Sequence, residues 1–161
     1  AAKFLTAENG PRIAVVDSGG WDTHANQGAA TGGLANRFRG LDAALAEFHK
    51  GMGDAWRDTA VLVMTEFGRT VRVNGTRGTD HGTAGAAVLG GGGVRGGRVI
   101  ADWPGLAAGA LYQDRDLYPS TDLRSLCKAT LIEHLKIDAA HVDRRVFPDT
   151  TPIPVLEGLF A

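Results

Sequence analysis

With 161 residues and 17 basic against 18 acidic side chains, the chain is sized for one domain spanning 1–161, and it carries no net field to hold a nucleic acid backbone or an anionic membrane. A single cysteine, Cys127, excludes an internal disulfide and a multi-cysteine zinc site. No apolar window approaches the ~20 residues that span a bilayer.

The sequence opens Ala1-Ala2-Lys3-Phe4-Leu5, without an initiating methionine or a charged-then-apolar leader, which points to a processed product or a piece of a longer chain. Residues 1–10 are too mixed to assign beyond a stop at Asn9-Gly10. Pro11 then starts a strand. Ile13-Ala14-Val15-Val16 is an apolar run, and the acidic, glycine-loosened turn after it delivers Asp22 and His24 to the mouth of a sheet. Leu34, Phe38, Leu41, Leu45 and Phe48 recur at spacings of three and four, one face of an amphipathic helix that covers the sheet and leads into a parallel strand. That helix ends near Gly51 to Gly53. Ala60 to Met64 is apolar at successive positions, so the second strand is expected to be covered on both faces in an α/β arrangement.

From Phe67 to Gly85 periodicity is lost and Asn74-Gly75 signals a turn, so a surface loop is expected. Ala86 to Leu89 reads as a short strand. Gly91-Gly92-Gly93-Val94-Arg95-Gly96 formally matches a dinucleotide fingerprint, but it leads into Arg98 to Ala101 and Trp103-Pro104 instead of a helix. A flexible hairpin or loop fits better, and a nicotinamide-dependent reductase has only this glycine run behind it. Ser120-Thr121-Asp122 offers a cap to a helix striped by Leu123, Leu126, Cys127, Thr130, Leu131, His134 and Leu135, which makes Cys127 a buried helix residue and His134 a core or boundary histidine. The tail from Val146, with Pro148, Pro152 and Pro154, is expected to lie extended across the surface.

Carboxylate and imidazole fall together at strand ends and glycine loops, the composition of a divalent-metal site. Asp22 and His24, two apart in an extended segment, project to one side and can reach one ion; alternatively Asp22 caps a turn and His24 bonds a loop carbonyl. Glu66, at the end of an apolar strand, reads as a ligand or base, or as the ion-pair partner of Arg69. Arg69 either grips a phosphate or sulfate or orients Glu66. Asp80 and His81 are neighbours in a loop, free to diverge toward an ion and a group behind it, or toward two ions. His81 is the leading single candidate. His49 and His141 read as structural, and Ser18 and Thr23 lack a recognisable nucleophile setting.

Gly19 to Gln27, then Thr65 to Thr70, then Gly78 to Gly82, and finally Thr121 to Arg124 resemble, in that order, a bacterial family of unknown function, DUF1501, placed in the alkaline phosphatase and sulfatase superfamily. The resemblance implies a three-layer α/β/α sandwich with a mostly parallel sheet and a metal site at the strands' carboxyl ends. It also implies an exported, periplasmic protein with a twin-arginine leader. On that pattern Asp22 and His24 resemble the first ligand set, Glu66 the second and His81 the third. Two departures stand out: the first pair is two apart instead of four, and Glu66-Phe67 replaces an Asp-His pair. The superfamily nucleophile and one acidic ligand come from an earlier strand, so residues 1–161 resemble a C-terminal portion.

The expected activity is metal-dependent hydrolysis of a small anionic ester, a phosphate or a sulfate. Asp22, His24, Glu66 and His81 would hold a divalent cation (Zn, Mn, Ca or Mg), with Asp80 a further or outer ligand and Arg69 steadying the anion. The alternative is a non-catalytic binding or assembly module of the cell envelope.

Overall fold

In the computed structural model, which describes residues 1–161, a short helix α1 (Ala2–Leu5) packs on the long helix α2 (Gly33–Met52), where the three-four spacing places it. Leu34, Leu41, Leu45 and Phe48 are half-buried along one side of α2. Phe38 is left 56% exposed, its ring edge-on to Trp21 at 5.2 Å. A tighter 3-10 turn, Gly53–Asp58, carries the chain into β1 (Val61–Val63).

Four strands follow in two pairs, and neither pair is parallel. β1 runs antiparallel to β4 (Val88–Gly90), with Leu62 opposite Leu89. β2 (Gly68–Arg69) runs antiparallel to β3 (His81–Gly82), with Arg69 opposite His81. The expected α/β/α sandwich with a mostly parallel sheet is therefore not formed. Parallel pairing needs a helical crossover between partner strands, and the segment joining β1 to β4 contains only the β2–β3 hairpin.

The strand expected at Ile13 to Val16 is also missing. The backbone of Ile13 to Gly20 takes part in no hydrogen bond to other backbone, and Val15 and Val16 are 89% and 75% exposed. An apolar run supplies a strand's side chains; a ladder also needs a neighbour, and α2 leads away to β1 without returning one.

The core gathers where β1 and β4 meet the second firm helix, α3 (Leu123–Ala129). Asp122 caps α3 as expected, accepting from the Arg124 N–H at 2.9 Å, and the helix runs on through a wider π-type turn, Thr130–His134. Cys127 is half-buried there, its thiol 3.9 Å from Met64 Sδ. The C-terminal tail does not lie extended across the surface: it turns twice between Phe147 and Ile153 and then enters the interior. Leu159 and Phe160 are buried beside Ala129, and the tail pairs with the glycine run through Arg95 N–H to Leu159 O at 2.8 Å and Ala161 N–H to Gly93 O at 3.0 Å. The same glycines let the run pack on the 3-10 turn: a Cβ at Gly92 would sit 2.5 Å from the Trp56 carbonyl oxygen.

One polar tie anchors the end of α3. Lys128 is 2% exposed, with Nζ 2.7 Å from Asp143 Oδ1 and donating to the carbonyls of Thr150 and Ile153, both at 3.1 Å. Asp143 follows a short helix α4 (Ala139–His141), so the pair fastens the last third of the chain to α3. No helix is long and apolar enough to cross a membrane.

Candidate metal centre

The segment from Thr23 to Gln27 is laced to the loop from Asn74 to Thr79. Asn26 and Gln27 N–H donate to Thr76 O and Arg77 O at 3.0 and 2.9 Å, and Thr79 N–H reaches Thr23 O at 3.3 Å. Gly78 packs so closely that a Cβ there would lie 2.2 Å from the His24 carbonyl carbon. The β2–β3 hairpin holds the far end of that loop, with Thr70 N–H on Asp80 O at 2.9 Å. Stretches more than 50 residues apart are thus fixed side by side, one bearing Asp22 and His24, the other Asp80 and His81.

Three donors converge. Nε2 of His24 lies 3.1 Å from Nε2 of His81, and Nε2 of His81 lies 3.1 Å from Oδ1 of Asp22. One ligand atom from each residue falls within 4.8 Å of the other two, and all three residues are exposed. A zinc ion bound tetrahedrally at about 2.0 to 2.1 Å separates its ligand atoms by roughly 3.3 Å; the two 3.1 Å spacings fit it, and the third pair, Asp22 and His24, lies within 4.8 Å. The donor set, two imidazoles and a carboxylate, suits it too.

The surroundings orient these groups. Asp80 Oδ1 stands 3.6 Å from His24 Nδ1, on the ring edge opposite the convergence, which favours the tautomer with the proton on Nδ1 and a free lone pair on Nε2. Asn74 holds Asp80: its Nδ2 donates to Asp80 Oδ1 at 2.9 Å and to His24 O at 3.0 Å. Its Oδ1 meanwhile accepts from Thr76 N–H and Gly78 N–H. The Asn74 bond leads in keeping the Asp80 carboxyl below its ordinary range, with His24 adding to it against partial desolvation. On the other side, the Phe67 ring stacks on His81 at 4.2 Å.

Arg69 is spent within the protein. Its NH1 bonds Asp22 Oδ1 at 2.5 Å, Nε donates to Thr79 Oγ1 at 3.0 Å, and NH2 donates to Thr79 O. It orients Asp22, a role its spacing from Glu66 did not suggest. Glu66 is not brought into the convergence; it is exposed, and its carboxylate accepts from the neighbouring Thr65 hydroxyl at 3.2 Å. Of the six residues singled out from the sequence, Asp22, His24 and His81 meet, Asp80 and Arg69 stand behind them, and Glu66 lies apart. Asn74, Phe67 and Gln27 were missed. Gln27 Oε1 accepts from both the Thr23 and Thr79 hydroxyls, at 2.8 and 2.7 Å, and so joins the two halves of the site. Asn74-Gly75 did mark a turn, yet no spacing rule shows which way a turn asparagine points.

The remaining histidines near the core serve packing: His49 lies against Trp56 at 4.4 Å and His134 against Phe160 at 5.1 Å.

A family model described as "Protein of unknown function (DUF1501)" matches residues 1–147, which include every residue of this centre. No curated protein and no solved structure matches the chain.

Proposed function

We propose, for a chain that belongs to the DUF1501 family, a divalent-cation site used in hydrolysis of phosphate or sulfate esters, the chemistry of the alkaline phosphatase and sulfatase superfamily. The observation that carries the reading is the meeting of Asp22 Oδ1, His24 Nε2 and His81 Nε2 at ligand-to-ligand spacing. Asp22, His24 and His81 hold the ion; Asp80 fixes the His24 tautomer, Arg69 fixes Asp22, and Phe67 braces the His81 ring. A divalent cation bound there supplies positive charge for an ester oxygen and acidity for a water molecule. The exposure of all three donors leaves room for a small anionic substrate. An exported, periplasmic location belongs to the same proposal and is supported by the resemblance alone.

A non-catalytic envelope binding module is the second reading, favoured by the state of the nearby hydroxyls. Both Thr23 Oγ1 and Thr79 Oγ1 are tied to Gln27, and Thr79 also accepts from Arg69, so neither is free to attack an ester.

Zinc titration by calorimetry, followed by aryl phosphate and aryl sulfate assays, tests the two readings. Stoichiometric binding that His81→Ala abolishes is expected, with Asp80→Asn weakening it by about 10- to 100-fold as an outer-shell loss does. Zinc affinity unchanged in His81→Ala removes the site. Intact binding with turnover on either ester selects hydrolysis over the module.

A further inference from the structure

We propose that Asp116 is a positioning residue of the metal centre, fixing the place of His81 through both strands of the β2–β3 hairpin; this rests on the reading of Asp22, His24 and His81 as the ligand set. The Asp116 carboxylate is fully buried, and its Oδ2 accepts from the N–H and the hydroxyl of Thr83, at 3.0 and 2.9 Å. Thr83 follows β3 directly, just beyond His81-Gly82. The backbone of Asp116 bridges to Thr70, which follows β2, and Val71 N–H donates to Arg115 O at 3.2 Å. Thr70 in turn holds the residue before His81 twice: its N–H donates to Asp80 O at 2.9 Å, and its Oγ1 accepts from Asp80 N–H at 3.1 Å. His81 is therefore enclosed between two attachments to one buried residue.

The hairpin needs this outside support. Its strands, Gly68–Arg69 and His81–Gly82, are two residues each, and even a longer isolated hairpin is only marginally stable in water. His24 does not depend on Asp116, because Asn74 Nδ2 and Thr76 Oγ1 donate to its carbonyl at 3.0 and 2.7 Å. The turn that presents Asp116 also runs against backbone preference. Gln113 and Asp114 are consecutive non-glycine residues in the left-handed region, at φ 52° and 54°, a conformation kept only where its surroundings over-determine it. Here Asp116 N–H donates to Tyr112 O at 3.0 Å and Tyr112 N–H to Asp116 O at 2.9 Å. Arg115 Nε and NH2 stand 2.9 Å from Asp116 Oδ1 and Oδ2 and balance the buried charge. Three of the six buried polar side chains, Thr70, Thr79 and Asp116, belong to this assembly, so the costly burial of polar groups is concentrated around the hairpin that carries His81.

Nuclear magnetic resonance of the full chain with labelled histidines, alongside zinc calorimetry on the same variants, tests this. In Asp116→Ala the His81 ring should lose its proton contact with the His24 ring, whose centroid lies 4.8 Å away, while the Asn26 and Gln27 amides that fix the His24 segment keep their shifts. Zinc affinity should fall about tenfold, the lower end for loss of a group behind the ligands. Thr83→Val removes only the hydroxyl bond and should displace His81 less, Thr83→Ser should restore the wild-type signals, and this pair decides the matter if Asp116→Ala does not fold. Unchanged His81 signals in Thr83→Val overturn the proposal, as does equal movement of the His24 and His81 segments, which is general loosening. A wild-type chain that binds no zinc but shows the selective His81 displacement sinks the ligand set and leaves the placement of His81 by Asp116 standing.

Discussion

At Gly78 the loop backbone lies against the backbone of His24, and a methyl group there has nowhere to go, because the nearest atom is a carbonyl carbon 2.2 Å away. Gly78→Ala should therefore push the two segments apart, costing about 2 to 3 kcal/mol of stability by overpacking. Zinc affinity should fall with it, since His24 and His81 ride on the parted segments. Urea unfolding and calorimetry check the two effects on the same variant; unchanged affinity would show that the loop does not set the histidine spacing. The chemistry at this scale was only partly legible. Asp22, His24 and His81 announced themselves because carboxylates and imidazoles are few and sat in glycine-rich turns. Glu66 looked equally promising, but its carboxylate turned to Thr65, and a lone acid after a strand carries no mark of its direction. Arg69 was visible as a cation, while its partner Asp22 lies 47 positions away, beyond any local pattern.

Among the elements, α2 and α3 were readable from period and cap, since both properties are local. Strand partners were not. Val61 to Val63 has the unbroken apolar character of an interior parallel strand, yet it pairs antiparallel with Val88 to Gly90, and composition does not encode direction. The tail was misjudged for a similar reason. Three prolines suggested a surface path, but Leu159 and Phe160 close the core by pairing with a run of glycines that reads as an unstructured loop. Lys128 shows the limit most plainly, because a lysine at helical spacing reads as solvent-facing and here is buried on Asp143 and two carbonyls. Lys128→Met should destabilise the chain by about 3 kcal/mol, the lower end for a broken buried pair because Asp143 keeps some contact with water. Thermal unfolding measures it, and a loss below 1 kcal/mol would mean the pair behaves as a surface one.

For the whole molecule, stability should decline with acid in two stages. Burial, with help from Lys136 and Arg12, holds the His134 imidazole below its ordinary value, so the unfolded chain takes up that proton first and stability falls as pH drops through about 6.5. Asp122 and Asp116 add the second stage. The Arg124 side chain lowers the first; burial pushes the second up, but Arg115 and Thr83 outweigh it and leave it low as well. Carboxylates held down in the folded state stabilise it above their unfolded values, and that contribution is lost as pH falls from about 3.9 through the folded values. Denaturant midpoints measured from pH 8 to pH 3 should show both steps, and His134→Gln should remove the upper one. A midpoint flat across pH 6 to 7 would contradict the histidine's share.

The core draws Ala60, Leu89, Ala129 and Phe160 from four separate regions of the sequence. Each must be brought home across a long stretch of mobile polypeptide before any reward arrives, so the entropic toll of closing those loops comes first. Helix α2, whose backbone hydrogen bonds are local, can flicker into being in about a microsecond. The finished interior must wait on a search that takes milliseconds or longer, and while it lasts the greasy stretch at Ile13 to Val16 is open to every neighbour in the solution.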